Sequence, residues 1–321
     1  MNTATLQVRV ARKQVEAVDI CSFELVAAGE QALPAFSAGS HIDVYLPNGI
    51  TRQYSLCNDP EESHRYLIAV LKDSASRGGS VGMHDLVHVG DFLKISAPRN
   101  HFPLAHGSTS NLLFAGGIGI TPILCMAERL AMAGETFEMH YSTRSLERTA
   151  FHQRIAQATF AQHVFFHHDD GAAEQKINLS SLLGTKRAGV HVYVCGPKGF
   201  MDAVLETARR NGWPEAQLHY EFFSAAPAKF ESDGRFELKL ASSGRIVTVE
   251  KDQSVVQALE AVGVTVLTSC EQGVCGTCLT RVLEGEPDHR DMYLSPEEQA
   301  RNDQFLPCCS RSKSPMLVLD L

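Results

Sequence analysis

Four cysteines close to the C-terminus carry the most specific chemistry in this sequence. Cys270, Cys275 and Cys278 stand in the run Ser269-Cys270-Glu271-Gln272-Gly273-Val274-Cys275-Gly276-Thr277-Cys278, and Cys308 follows far downstream. The spacing C-x4-C-x2-C with a distant fourth cysteine is that of plant-type [2Fe-2S] centres, in which four thiolates hold two irons. Gly273 and Gly276 let such a loop turn tightly and aim amide N–H groups at sulfur. Structural zinc is the competing reading, but it favours two close pairs of ligands, and here one arm is a single cysteine. An iron–sulfur centre handles electrons one at a time.

Two further sets of residues suit cofactors. Arg52-Gln53-Tyr54-Ser55-Leu56 alternates along a strand, with Arg52, Tyr54 and Leu56 on one face and Ser55 on the other. Arginine grips phosphate bidentately and tyrosine offers a flat partner for a ring. Arg77-Gly78-Gly79-Ser80 could cradle a phosphate with consecutive N–H groups and a hydroxyl, although taken alone it also reads as a plain turn. Ala115-Gly116-Gly117-Ile118-Gly119-Ile120-Thr121-Pro122 lies between a strand and a helix, and Cys195-Gly196-Pro197 ends a later strand before another helix. Neither is the G-x-G-x-x-G fingerprint. Both place glycines and a helix N-terminus where an anion is favoured, at the carboxyl edge where open α/β sheets bind ligands.

The elements that must position these residues change character along the chain. Up to about residue 105 short strands dominate. Leu6-Val8-Val10, Ile42-Val44-Leu46 and Tyr66-Ile68-Val70 alternate at period two, and Asn48-Gly49 marks a hairpin turn. The pattern predicts a small antiparallel β-barrel over 1–105. After the polar stretch His106 to Ser110, apolar runs alternate with helical stretches near 121–133, 149–158 and 199–211. That rhythm predicts a parallel α/β sheet over 106–224, with Pro122 at the first helical position. A stretch rich in Ala, Pro and Ser reads as a linker over 225–235. Beyond it a hairpin around Ser243-Gly244 and a capping box at Ser254-Val255-Val256-Gln257 open an α+β domain over 236–321.

The 321 residues suit two or three domains, and a formal net charge of −8 argues against nucleic acid as a partner. With four cysteines on iron, Cys21, Cys57, Cys125, Cys195 and Cys309 remain, an odd number that suits a reducing cytoplasm. No signal peptide or membrane-length apolar run is read. His167-His168-Asp169-Asp170 has metal-ligand residue types, but neighbours at a strand end diverge, so no metal is expected there. Arg209-Arg210 reads as a solvated helix end and Trp213 as packing.

Taken together, R-x-Y-S, G-G-S, G-G-I-G-I-T-P, C-G-P and the C-terminal cysteine pattern resemble the ferredoxin–NAD(P)H reductase superfamily. Their order is similar to that of the phthalate dioxygenase reductase family over essentially the whole chain, as are Asp288-His289-Arg290-Asp291 and the ending from Cys308 to Leu321. The resemblance implies an FMN-binding barrel, an NAD-binding domain and a β-grasp ferredoxin domain. It implies FMN contacts at Arg52, Tyr54, Ser55, Ala69, Val70, Leu71, Lys72, Gly78, Gly79, Ser80, Thr121 and Phe223. It implies NADH contacts at Gly116, Gly117, Gly119, Tyr141, Ser142, Thr143, Arg144, Cys195, Gly196 and Pro197. Ser55, Thr121, Cys195 and Phe223 are the candidates for contact with the reacting atoms. Cys308 and Cys309 are adjacent, and the family pattern C-x-S-R selects Cys308 as the fourth ligand.

The implied activity is that of an NADH-dependent oxidoreductase, a monomer that feeds a terminal oxygenase, most directly a Rieske-type one. A plant-type centre near about −400 mV and a Rieske centre from about −150 mV upward differ by roughly 250 mV, about 6 kcal/mol for one electron. A cytochrome P450 or other acceptor, and a redox-sensing module without turnover, are the alternatives.

Overall fold

In the computed structural model, residues 5–29, 31–74, 76–223 and 233–321 are described. The chain divides into two compact units, Met1–Phe223 and Ser224–Leu321. Most of the expected linker, up to Ser232, lies outside the described residues.

The first unit begins with the strands β1 (Thr5–Ala17), β2 (Ile20–Ala27), β3 (Ser40–Tyr45), β4 (Thr51–Ser55), β5 (Tyr66–Leu71), β6 (Phe92–Ser96) and β7 (Arg99–Asn100). They pair antiparallel in the order β4-β3-β6-β1-β2-β5, with β7 on β3, and a Leu56–Ile68 bridge joins the two ends. Period-two alternation sends Val8, Val10, Ile42, Val44, Ile68 and Val70 into one barrel core. A helix that the strand-rich pattern did not announce, α1 (Gly79–Leu86), follows β5. Its Met83 and the following Val87 are fully buried in that core.

The same unit continues as a parallel sheet. Its strands are β8 (Ser110–Gly116), β9 (Phe137–Thr143), β10 (Val164–His168), β11 (Val190–Cys195) and β12 (Leu218–Glu221), in the order β10-β9-β8-β11-β12. The helices α2 (Ile120–Met132), α3 (His152–Ala156), α4 (Leu179–Leu183) and α5 (Lys198–Arg210) connect them. Pro122 is the third residue of α2 rather than the first, still within the turn whose N–H groups have no intrahelical partner. Barrel and sheet share a core. Ala17, Ile20, Cys57, Ala69 and Phe102 pack in one cluster with Ile120, Ile123, Leu124 and Cys195. Arg154 reaches Glu128 at 2.7 Å within the sheet domain, and Arg129 reaches Glu61 of the barrel at 3.0 Å.

The second unit is α+β. Its strands are β13 (Phe236–Leu240), β14 (Ile246–Val249), β15 (Thr280–Glu284), β16 (Pro287–Asp288), β17 (Gln304–Phe305), β18 (Arg311–Ser312) and β19 (Met316–Leu319), and its helices α6 (Val255–Ala261) and α7 (Pro296–Ala300). The order β14-β13-β19-β15-β17 puts β19 parallel to β13 at the centre of a mixed sheet. The capping box read at Ser254 is present, and Ser295 with Glu298 forms a second at α7.

Candidate functional site

In the barrel, the strand β4 and the start of α1 come together. Gly78, in the left-handed conformation at φ 89°, ends the loop that leads into α1. A Cβ on Gly79 would lie 2.7 Å from Cγ and Nε of Arg52, so the arginine lies flat against the helix N-terminus only because that residue is glycine. The Asn48 side chain donates to the Gly78 carbonyl at 3.1 Å, so the hairpin turn read in the sequence also fixes this loop. A cation beside unpaired N–H groups at a helix start is a fit for a phosphate. Ser80 accepts from the Asp73 N–H at 3.1 Å, and Lys72 pairs with Asp85 at 2.7 Å, so both side chains hold the loop in place.

At the carboxyl edge of the sheet, the loops after β8 and β11 press on each other at the point where strand order reverses. A Cβ on Gly119 would stand 2.2 Å from the Cys195 carbonyl oxygen, and one on Gly196 would stand 2.9 Å from the Gly116 Cα. The glycines are therefore required first by loop-on-loop contact. Gly117, at φ 51° with nothing within 4 Å of a Cβ position, is the one that faces open space. Ser142 lies opposite Gly116 in the β8–β9 register, and its buried hydroxyl has no hydrogen-bond partner. An orphaned hydroxyl beside an open glycine loop fits a polar ligand such as a nucleotide. Arg144 stands exposed just beyond.

Barrel and sheet meet at a third feature. Glu221 ends β12 in register with Cys195, and Ser55 of β4 donates to its carboxylate at 3.5 Å across 166 residues of sequence. Burial pushes the Glu221 pKa up to about 8 against the Ser55 hydrogen bond, so the carboxyl stays protonated at neutral pH. Burial also raises the Cys195 thiol well above its ordinary range, with the Glu221 charge adding to the rise. Phe223 packs against the core shared by barrel and sheet, whereas Phe222 packs on the opposite side of the sheet. Thr121 is buried and donates to the Ile118 carbonyl at 3.1 Å, so its hydroxyl shapes the loop before α2.

In the second unit, the Sγ atoms of Cys275 and Cys308 both lie within hydrogen-bonding reach of Cys270 Sγ. The Gln272 N–H donates to Cys270 Sγ at 3.3 Å. Cys278 is buried in the same core as Cys308. Converging thiols with a backbone donor on one sulfur fit an iron–sulfur centre. Gly273 and Gly276 have φ of 74° and 69°, and Cβ atoms there would meet Cys309 Sγ at 2.5 Å and the Tyr293 ring at 2.3 Å. Cys309 thus turns toward Gly273, within reach of the Leu306 carbonyl at 3.6 Å.

Comparison with known proteins agrees with this layout. Residues 238–313 match the 2Fe-2S iron-sulfur cluster binding domain, and residues 96–218 match the N-terminal domain of the dimethylamine monooxygenase subunit DmmA-like proteins. A vanillate O-demethylase oxidoreductase from Pseudomonas putida is 58% identical over 313 residues, covering 97% of this chain and 98% of its own. The solved structure of phthalate dioxygenase reductase, described as a modular structure for electron transfer from pyridine nucleotides to [2Fe-2S], is 40% identical. It superposes with a TM-score of 0.78 over 99% of this chain and 98% of that one. The chain belongs to the phthalate dioxygenase reductase family. It is an oxidoreductase with the flavin, pyridine-nucleotide and iron–sulfur modules of that family. A third match is an intact type IV self-sufficient cytochrome P450 monooxygenase, 38% identical with a TM-score of 0.85, covering 99% of this chain and 41% of that one.

Three residues expected at the cofactors have side chains that face elsewhere. Tyr141 is fully buried, and its hydroxyl accepts from the Ala150 N–H at 3.2 Å. The Thr143 hydroxyl is shared among Thr149, His168 and the Ser145 carbonyl. Val70 points into the barrel, where β5 alternation sends it with Ile68, while Ala69 and Leu71 face the sheet domain. These three can offer only backbone to a ligand. His167 and His168 diverge, one meeting His140 at 3.0 Å and the other Thr143 at 3.0 Å. Trp213 is core, donating to the Leu183 carbonyl, and Arg209 pairs with Glu215 rather than solvent alone.

Sequence reasoning missed two residues. Glu221, two residues before Phe223, carries no local signal, and Gln53, one residue from Arg52 on β4, has a buried Nε2 with no hydrogen-bond partner. Parallel strand register with Cys195 gives the first its place, and no local pattern signals it.

Proposed function

We propose that this chain is the reductase component of a multi-part oxygenase, drawing electrons from NADH through FMN and [2Fe-2S] to a Rieske-type terminal oxygenase for an aromatic acid or aryl ether. The observation that supports this most strongly is the meeting of Ser55, Cys195 and Glu221 at the junction of barrel and sheet. When bound, the flavin turns a two-electron hydride into single electrons, and the cluster takes and exports them one at a time. Arg52 and the N-terminus of α1 hold the flavin phosphate. Ser55 and Gln53 offer polar groups to the ring, and Phe223 covers it from the sheet side. Gly117, Ser142 and Arg144 receive the nucleotide, with Gly116, Gly119, Gly196 and Pro197 shaping the crevice. Cys195 and Glu221 keep the reacting edge dry, and the Ser55 hydroxyl, donating to the Glu221 carboxyl, is held in place across the junction. Cys270, Cys275, Cys278 and Cys308 ligate the cluster.

The working domains are 1–105 for FMN, 106–224 for NADH, 225–235 as linker and 236–321 as ferredoxin. The protein acts as a monomer in the cytoplasm, and no described helix is long and apolar enough to cross a membrane. NADH is preferred because the segment after β9 offers Arg144 followed in sequence by the acidic Glu147, whereas a 2′-phosphate needs a cluster of cationic donors.

A P450 acceptor is the second reading, favoured by the whole-length likeness of this chain to the reductase part of a fused P450. Full-length likeness to a separate oxidoreductase subunit favours an independent oxygenase. Mixing the protein anaerobically with NADH and either a Rieske oxygenase or a P450 decides between them. Flavin bleaching followed by faster Rieske reduction is expected. Unbleached flavin, or a preference for the P450, overturns the reading. Released flavin should have the mass of FMN, and FAD would contradict that part.

A further inference from the structure

A buried carboxylate stands between the two arms of the cluster site. The Asp291 side chain is 0% exposed. Its Oδ2 accepts from the Leu294 N–H at 2.8 Å and the Tyr293 N–H at 3.3 Å, and its Oδ1 accepts from the Ser310 hydroxyl at 3.4 Å. Ser310 lies two residues past Cys308, and its Oγ also accepts from the Arg290 N–H at 3.2 Å. On the other side, a Cβ on Gly273, inside the three-cysteine loop, would meet the Asp291 Cα at 3.1 Å and Cβ at 3.2 Å. The Met292 N–H donates to the Gly273 carbonyl at 2.9 Å and secures that contact. Asp291 thus touches the loop through Gly273 and the fourth-ligand arm through Ser310. Among the described residues no lysine or arginine pairs with it, and the neighbouring Arg290 turns its guanidinium to Asp288 and Asp233. His289 Nδ1 stands 3.6 Å from Oδ1, beyond hydrogen-bond distance. Burying a carboxylate without a cation is costly, and an asparagine could accept the same N–H and O–H bonds. What aspartate adds at this place is charge.

Resting on the cluster assignment proposed above, we infer that Asp291 sets the reduction potential of the cluster, its buried negative charge between the two ligand arms holding that potential low. Reduction turns one ferric iron ferrous with one electron and no proton, so it adds one negative charge to the centre. That electron comes from the reduced flavin in the proposed route. A carboxylate buried alongside opposes the added charge, and a low dielectric transmits the repulsion. A low potential in turn drives the electron onward to any acceptor of higher potential.

Asp291→Asn removes the charge and keeps an acceptor for the two N–H groups. Ser310→Ala loosens the tie to the fourth-ligand arm and keeps the charge. The full-length holoprotein is titrated anaerobically with dithionite and redox mediators, and the reduced cluster is followed by EPR. At the wild-type midpoint, Asp291→Asn should hold a reduced-to-oxidised ratio about tenfold higher, which is a midpoint about 59 mV more positive for one electron. Ser310→Ala should change that ratio less than about threefold. Iron content should stay at the wild-type level in both. A midpoint at or below that of the wild type in Asp291→Asn would overturn the inference. So would equal shifts in the two variants, or loss of iron from Asp291→Asn, since either shows Asp291 acting through geometry alone. Dithionite bypasses NADH and flavin, so a failed hydride route leaves the result standing. A wild-type protein without iron would instead defeat the cluster assignment, and this inference with it.

Discussion

The cluster site and the flavin–nucleotide site are built by opposite means. The proposed cluster site takes three of its four cysteines from a run of nine residues, and the glycines of that loop are set by direct contact with Cys309 and Tyr293. The proposed flavin–nucleotide site collects Arg52, Ser55, Gly117, Ser142, Cys195 and Glu221 from strand ends and loops that only the topology brings together. A covalent centre demands ligands at fixed spacing, so much of its geometry is local. A site that binds by hydrogen bonds, a helix start and a crevice can draw on any strand that ends at the right edge. Damage should accordingly be all-or-none at the cluster and graded across the junction.

The largest graded effect should come from the crevice itself. Gly119→Ala places a methyl against the Cys195 carbonyl at 2.2 Å, where only backbone movement can relieve it. The expected loss is about 3 kcal/mol of stability in the first unit, with weakened NADH binding, read by thermal unfolding and nucleotide titration. Removing the phosphate grip should cost less. Arg52→Ala loses a charge-assisted contact of about 1.5–3 kcal/mol, roughly ten- to a hundredfold in flavin affinity. Flavin content after dialysis measures it, and full retention would show that the N-terminus of α1 holds the phosphate unaided.

A smaller effect belongs to Glu221. Its folded pKa of about 8 lies above the ordinary carboxylate value, so the neutral carboxyl favours the folded state most fully below that ordinary value. The contribution declines as pH rises through about 8. Wild type should lose stability over that window, and Glu221→Gln should flatten the profile. Denaturant midpoints at pH 5, 7 and 9 check the sign. The smallest effect should be Cys309→Ser, with cluster EPR and cytochrome c reduction near wild type, whereas Cys308→Ser should lose both. The reverse pattern would exchange the ligand assignment.

Legibility followed the same division. The barrel strands, the α/β alternation, the capping box at Ser254 and the cysteine spacing were all local patterns. Helix α1 was not, because Gly79 and Gly82 depress helix propensity and the helix is held by Met83 in the barrel core. Tyr141 and Thr143 sit in a motif that matches a nucleotide site, yet strand alternation turns their side chains into the core. Glu221 needed the parallel register of β11 and β12, which no window of sequence contains.

The central claim is that hydride uptake belongs to the first unit and electron export to the second. Cys275→Ser tests it most directly, because a serine hydroxyl is a poor substitute for thiolate on iron. The variant should lose the cluster's EPR signal, keep wild-type flavin bleaching and ferricyanide reduction with NADH, and fail to reduce cytochrome c or the oxygenase. Full-rate delivery of electrons to the oxygenase by this variant would contradict the account.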